Sequence, residues 1–198
     1  MKKKLMTVLA LVLVIALSVA GTYAYLTSTA KVENTFTVGN VAITMDESKV
    51  DADGRIVRGA DRVLKNEYKL IPGHEYCKDP VVHVTAGSEK CYVFVEVENG
   101  LVDIIENNIE EETPNIEGQI AAYGWTKLEG NVYYKLVDAT EANAGCNLSV
   151  FNGFQLKGDI NYETLEGFGT KTITVTAYAV QADGFETASA AWAATFGK

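Results

Sequence analysis

Alternation of apolar with polar side chains, repeated in several stretches, is the feature that most constrains the fold of this 198-residue chain. In residues 91–97 cysteine or valine stands at every second position, and residues 41–45 and 171–181 alternate in the same way. Side chains two positions apart lie on one face of a β-strand, so each stretch can cover a core on one side. The pattern predicts a protein built mainly from β-strands.

Turn residues separate further short stretches of the same kind. Residues 124–128 and 132–136 flank Glu129-Gly130-Asn131, which predicts a hairpin with a three-residue loop. Residues 148–156 predict a strand that is broken at Asn152-Gly153. Many short strands joined by turns are typical of an antiparallel β-sandwich.

Two segments have helical spacing instead. Residues 101–111 bring leucine and isoleucine side chains near one helix face, and the alanine-rich residues 186–196 place Trp192 and Phe196 four apart. We therefore predict an all-β fold with minor helices, in which one or two short helices lie at the rim of the sandwich.

The N-terminus has the layout of a secretory signal peptide. Lysines stand near its start, residues 5–20 are apolar, and Thr22 and Ala24 supply small side chains two apart. This layout predicts a signal peptide of residues 1–24, cleaved between Ala24 and Tyr25. A retained membrane anchor is the alternative, but the apolar run has 16 residues, whereas a membrane span needs about 20. We expect contact with the membrane only through the uncleaved leader.

The remaining chain, residues 25–198, is strongly acidic. The full sequence has 17 basic and 26 acidic residues, and the leader removes three lysines and no acid, which leaves a net charge of −12. Nucleic acids and anionic lipid surfaces bind clusters of Lys and Arg, so this charge argues against both as partners. With only three prolines and no low-complexity stretch, residues 25–198 are predicted to form a single domain.

Three cysteines, Cys77, Cys91 and Cys146, leave at least one thiol unpaired. No Cys-x-x-Cys motif is present, so neither a zinc ribbon nor a thioredoxin-type site is supported. The cysteines can act as small buried apolar residues, or Cys77 and Cys91 can form a disulfide. The sequence leaves both alternatives open.

In four stretches, residues 21–27, 34–43, 70–74 and 177–185, the chain resembles the TasA–camelysin family of secreted bacterial matrix proteins. Residues 21–27 resemble the family's cleavage junction, and residues 34–43, Asn-Thr-Phe-Thr-Val-Gly-Asn-Val-Ala-Ile, are similar to the start of its mature domain. Residues 70–74, Leu-Ile-Pro-Gly-His, resemble a turn that leads into a strand, and residues 177–185 resemble an ending frequent in its members from anaerobes.

The resemblance implies a jelly-roll-like sandwich, export to the cell surface and assembly into extracellular biofilm fibres. A dedicated, endoplasmic-reticulum-type signal peptidase would be a transient partner, and the main partner would be a second copy of the chain. In such fibres an N-terminal segment, here residues 25–38, is donated as a strand to the next subunit. The assembly-strand residues would be Leu26, Thr27, Ser28, Ala30 and Val32. Other matrix proteins or polysaccharide are further candidate partners.

Members of this family have been called metalloproteases, but the sequence lacks the usual zinc motif. A zincin helix needs two histidines four apart, whereas His74 is followed at the required position by Lys78, and His83 stands in strand-like sequence. We therefore expect a protein that is not an enzyme and has no cofactor. The metalloprotease remains an alternative.

Two further binding functions remain open. Asp51-Ala52-Asp53-Gly54 is similar to the opening of an EF-hand loop, but its twelfth position would be Arg62 rather than the glutamate that calcium needs. Asp46, Asp51 and Asp53 are thus only weak calcium candidates, and Asp-Gly is an ordinary turn signal. The second alternative is a monomeric adhesin that binds glycans through strand aromatics such as Trp125 and Tyr134.

Overall fold

A computed structural model describes residues 39–107 and 115–197, together with Met6 by itself. The predicted leader, the cleavage position between Ala24 and Tyr25, and the predicted assembly strand in residues 25–38 lie outside the described residues. The described residues from 39 onward belong to one compact unit, Gly39–Lys198.

The described residues contain nine strands and four helices. The strands are β1 (Ile43–Asp46), β2 (Glu75–Cys77), β3 (Val81–Val84), β4 (Cys91–Asn99), β5 (Thr126–Glu129), β6 (Val132–Val137), β7 (Cys146–Ser149), β8 (Gly153–Gln155) and β9 (Ile173–Gln181). The helices are α1 (Ile116–Ala122), α2 (Ala139–Ala144), α3 (Tyr162–Gly167) and α4 (Ala188–Thr195).

The strands pair in three antiparallel sheets. The largest has the order β5-β6-β4-β9, the second β1-β3-β7, and a third contains β2 and β8. Val82 and Val84 of β3 pack in the same core as the alternating cysteine and valines of β4, as the period of two predicts. The mainly β, antiparallel prediction is confirmed, whereas a jelly-roll topology is not.

Helix α4 confirms the predicted C-terminal helix but lies on the outer face of the largest sheet rather than at its rim. Trp192 packs against Phe94, with ring centroids 5.1 Å apart, and Phe94 is fully buried. Tyr178 completes this contact from β9. The largest sheet is therefore apolar on both faces, one towards the main core and one beneath α4.

The helix predicted for residues 101–111 is wrong over residues 101–107, which form a turn and a single bridge from Ile105 to Leu156. Residues 108–111 lie outside the described residues. Leu101, Ile104 and Ile105 are all buried in the main core. The backbone N–H of residue 106 donates to Gln155, which replaces the next helical hydrogen bond.

The predicted hairpin forms with a different loop. Glu129 pairs directly with Val132, so the loop contains only two residues. The register of β5 against β6 shifts by one residue between Lys127 and Glu129, at Leu128. Gly130 has φ +50°, a conformation that glycine adopts at little cost. The Pro72-Gly73 turn and the break between β7 and β8 lie where the sequence predicts them.

Candidate functional site

The strands β1 and β9 form the facing outer edges of the two larger sheets. Within the described part of the chain, neither strand has a sheet partner on its outer side. The sequence of β9, Ile-Thr-Val-Thr-Ala-Tyr-Ala-Val-Gln, contains neither a charged residue nor a proline over its nine residues. Proteins normally protect a long edge strand with charges, prolines or bulges. Within residues 39–107 and 115–197, strand β9 therefore has an unprotected backbone edge.

The core is open where these two edges face each other. Ile173 and Val175 of β9 and Met45 of β1 pack against the main core but are only partly buried, whereas Val93 and Val95 of the neighbouring central strand have no exposed surface. A groove of about 650 Å³ lies along this seam. We call it the β1–β9 groove.

Residues 61–70, the wall segment, form one side of the β1–β9 groove. Val63, Leu64 and Tyr68 line it from this side. A single backbone bridge joins Val63 to Glu47, directly after β1. Leu64 has 86% of its surface exposed, so the wall segment presents a large apolar side chain to solvent.

Arg62 anchors the start of the wall segment. Its guanidinium donates to the carboxylate of Asp46, to the Asp79 carboxylate at 3.0 Å and to the Ser48 hydroxyl at 2.9 Å. It also donates to the backbone oxygens of Asp46 and Asp79, at 3.3 and 2.9 Å. Such a multidentate arrangement uses the planar fork of arginine fully. It holds the wall segment against β1.

A buried ion pair supports the middle of the wall segment. Lys78 Nζ lies 2.7 Å from Glu47 Oε2, with side chains 11% and 7% exposed. Asn66 donates to the other carboxylate oxygen of Glu47 at 2.9 Å and accepts from the backbone N–H of Val50 at 2.9 Å. Because the polar atoms of Glu47 are paired, this cluster fixes the shape of the groove wall.

His83 extends the same network from β3, the strand next to β1 in the sheet. Its Nε2 lies 3.0 Å from Asp46 Oδ1 and its Nδ1 lies 2.7 Å from Asn147 Oδ1. The hydrogen bonds with Asp46 and Asn147 raise the pKa of His83 above its ordinary value. Burial opposes ionisation of Asp46, but the hydrogen bonds from His83 and Arg62 prevail and lower the pKa of its carboxyl group.

The two histidines do not meet. The ring of His74 bonds the backbone oxygen of Asp53 at 2.6 Å, on the turn that precedes the wall segment, whereas His83 bonds Asp46. Among the described residues no group of three or more His, Cys, Asp or Glu side chains could hold a metal ion. Neither a zinc site nor a cluster of the calcium candidates is therefore formed by this part of the chain.

The individual calcium candidates have structural contacts. Asp46 binds Arg62 and His83. Asp51 Oδ1 accepts from the backbone N–H groups of Asp53 and Arg55, at 3.1 and 2.9 Å, and Gly54 has φ +76°. Asp51-Ala52-Asp53-Gly54 is thus the turn that its Asp-Gly pair indicates.

Most of the strand aromatics are turned into the protein. Phe94, Trp125, Tyr133 and Trp192 are buried, and Tyr92, Tyr134 and Tyr178 are partly buried beneath α4. Trp125 donates its indole N–H to the backbone oxygen of Ser149 at 2.7 Å. Their ring faces pack in the two cores, as is usual for aromatic residues in sheets.

Sequence reasoning missed the β1–β9 groove, and one signal pointed to it. The absence of charge and proline from residues 173–181 is readable in the sequence. That these residues form an outer strand, and that β1 is its counterpart, is evident only from the strand order. No helix in the described ranges is long and apolar enough to cross a membrane.

Comparison with known proteins finds a family match in the N-terminal part of the chain. Residues 1–70 match the family model described as camelysin metallo-endopeptidase. The match covers the predicted leader, β1 and the whole of the wall segment, and it ends before the Pro72-Gly73 turn. It confirms the resemblance to the TasA–camelysin family. No curated protein and no solved structure matches the chain.

Proposed function

We propose that this protein is a secreted structural subunit that polymerises into extracellular matrix fibres. In this proposal the β1–β9 groove of one copy accepts the N-terminal segment, residues 25–38, of another. The single observation that carries the proposal is the open seam between two strand edges, where core residues remain partly exposed. The family match supports secretion and matrix assembly as the setting.

The N-terminal segment has the chemistry that this groove accepts. Leu26, Ser28, Ala30 and Val32 stand at every second position, so an extended segment would place them all on one face. That face is small and mainly apolar, and it can cover Ile173 and Val175. The backbone of the segment can pair with the free edge of β9, as in other complexes formed by strand addition.

The contact between copies continues without closing. Each chain carries one N-terminal segment and one β1–β9 groove, so donor and acceptor are different surfaces. Heterologous contacts of this type produce rings only if the rotation closes, and otherwise produce filaments. Cleavage between Ala24 and Tyr25 would free the segment from the leader, so assembly would follow export.

Deletion of residues 25–32 from the mature protein tests this proposal. The variant should remain folded and monomeric, whereas the intact mature protein should form filaments visible by negative-stain electron microscopy. Circular dichroism serves as the control for folding. Filaments that form at the same rate without residues 25–32 would refute strand donation, and persistent monomers of the intact protein would refute the fibre function itself.

The name of the matching family favours a metallo-endopeptidase as the second candidate. Against it, His74 bonds a backbone oxygen and His83 is held between Asp46 and Asn147. We propose that the chain is not an enzyme. Metal analysis of the purified protein and a casein assay with and without a chelator test this: stoichiometric zinc with chelator-sensitive cleavage would contradict the proposal.

A further inference from the structure

Two cysteine thiols face the main core from opposite sheets. Cys91 is the first residue of β4 and is fully buried, and Cys146 is the first residue of β7 and packs, partly buried, against the same core. The third thiol, Cys77, lies in the separate β2–β8 sheet. No disulfide joins any of these three described residues.

Strand register brings Cys91 and Cys146 to the same end of the core. Cys146 stands directly opposite Val84 in the pairing of β7 with β3, and directly opposite residues point to the same face of a sheet. Residues 85–90 then carry the chain from Val84 across to Cys91 in the largest sheet. The two thiols thus flank a single connection between the sheets.

This connection is packed tightly against the residues that precede Cys146. Gly87 donates its backbone N–H to the oxygen of Asn143 at 3.0 Å. Gly145 has φ +80°, and a Cβ atom at that position would lie 3.1 Å from the backbone nitrogen of Ala86. The close approach fixes the start of β7 beside the start of β4.

The acid–base properties of the two thiols agree with this placement. Burial raises the pKa of the Cys91 thiol to about 11, and the charge of Cys146 contributes to the rise. Burial also raises the pKa of Cys146, followed by the charge of Glu141, while Lys135 lowers it. Both thiols are therefore mostly protonated at neutral pH.

We propose that Cys91 and Cys146 form a disulfide that links the two larger sheets, while Cys77 remains a free thiol. A small-molecule disulfide such as oxidised glutathione serves as the oxidant. The Cys146 thiolate attacks it and releases one reduced thiol, and the Cys91 thiolate then attacks the mixed disulfide and releases the second. Two protons leave the protein, and two electrons reduce the oxidant to two thiols.

The placement has a kinetic consequence. Because the thiolate is the reactive form, oxidation of the folded protein should be slow at neutral pH and faster as the pH rises towards 10. Refolding in the presence of the oxidant should form the bond more readily, since both thiols are then accessible. The bond would close a loop of residues 91–146 and stabilise the fold by restricting the unfolded chain.

Refolding the mature protein with oxidised glutathione tests the proposal. Peptide mapping by mass spectrometry without reduction should recover the Cys91 and Cys146 peptides joined, with one reactive thiol left per chain. The Tm should exceed that of the reduced protein by about 4–16 °C. Cys77→Ser should retain the bond, and Cys146→Ser should lose both the bond and the increase in Tm.

Two results would overturn the proposal. One is a disulfide that contains Cys77 in the wild-type chain, and the other is three reactive thiols after refolding under oxidising conditions. Because the assay reads out thiols and disulfide-linked peptides, its result does not depend on whether the protein forms fibres.

Discussion

Leu64 is both highly exposed and part of the lining of the β1–β9 groove. It is a large aliphatic side chain with 86% of its surface exposed, and it lines the groove where the core is open. Single exposed apolar residues are common on protein surfaces. Leu64, however, lies on a wall segment that Arg62 and Asn66 fix by multiple hydrogen bonds. A side chain held this way is suited to contact an incoming strand.

Leu64→Ser should therefore weaken assembly without loss of stability. Truncation of an apolar anchor in an interface costs about 2 kcal/mol, which corresponds to a roughly 30-fold rise in the protein concentration needed for filaments. Sedimentation across a concentration series measures this change.

Tyr162→Ser is the matched control, since Tyr162 is 78% exposed on α3 and does not line the groove. The free energy of unfolding of both variants should lie within about 0.5 kcal/mol of the wild-type value, as is usual for surface substitutions. If the two variants raised the protein concentration needed for filaments equally, the proposed contact of Leu64 with the incoming strand would be wrong.

His83 makes the stability depend on pH in a defined direction. Its pKa is raised in the folded state, first by the hydrogen bond to Asp46. The stabilisation is thus fully present below the ordinary histidine value of 6.5 and is lost as the pH rises through the raised value. Asp46 acts oppositely, because its lowered pKa gives stabilisation that is lost as the pH falls through that value.

His83→Gln should consequently destabilise the protein more at pH 5.5 than at pH 8.5, two conditions chosen to bracket the histidine range at about 6.5. Urea unfolding of both proteins at both pH values measures the difference. If His83→Gln lowered the free energy of unfolding equally at the two pH values, or more at pH 8.5, this would contradict the assigned interaction between His83 and Asp46.

At the scale of the element, the period of two predicted the long strands well. Strands β4 (Cys91–Asn99) and β9 (Ile173–Gln181) form where the sequence alternates, because side chains two positions apart share the face that packs on the main core. The short helices α1, α2 and α3 escaped prediction, although Asn115, Asp138 and Asn161 each accept backbone N–H groups as N-caps. Helices this short have little periodicity, so the cap is their main signal.

Tertiary packing explains what the sequence pattern mispredicted. Leu101, Ile104 and Ile105 have helical spacing, but the main core takes up all three from a single turn. The groove was beyond prediction for a related reason. Its two edges, β1 and β9, lie far apart in sequence and belong to different sheets, so their contact depends on how the two sheets pack against each other.

Trp192→Ala should destabilise the protein by about 3–5 kcal/mol, the usual cost of truncating a buried aromatic residue. The substitution leaves a cavity over Phe94 and also removes the indole N–H that donates to Glu129 at 2.9 Å. Urea unfolding followed by circular dichroism measures the loss. Ala194→Ser, at an exposed position of the same helix, is the control and should change stability by less than about 1 kcal/mol.

If Trp192→Ala lowered the free energy of unfolding only as much as the control does, α4 would not cover the outer face of the sheet. The same comparison tests why the predicted rim position was wrong. The apolar side chain of Phe94 points to the face of the sheet opposite to Val93 and Val95. It must be covered by another element, and a helix at the rim would not cover it.

Adjacent residues on β9 offer a matched test of the strand edge. Val175 points to the core side and lines the groove, whereas Thr176 points to the opposite face and is exposed. An inward-pointing charge on an edge strand blocks pairing with another chain. Val175→Lys should therefore prevent filaments and Thr176→Lys should not, as judged by electron microscopy of folded protein. Equal assembly of the two variants would exclude the groove as the acceptor.

At the scale of the whole molecule, the proposed assembly needs one donor segment and one acceptor groove per chain. Residues 25–198 have a net charge of −12, so repulsion opposes non-specific association between copies. Assembly then depends on a specific contact between copies. A variant that lacks only the donor segment and a variant that lacks only the acceptor groove should each remain monomeric. When they are mixed, one copy of each should bind through a single donor–acceptor contact.

Mixing these two variants measures the central claim directly. The mature protein without residues 25–32 keeps its groove, and Val175→Lys keeps its N-terminal segment. Size-exclusion chromatography with light scattering should find monomers for each alone and one-to-one dimers, without filaments, for the equimolar mixture. Monomers in the mixture, or filaments from either variant alone, would contradict donation of the N-terminal segment to the β1–β9 groove.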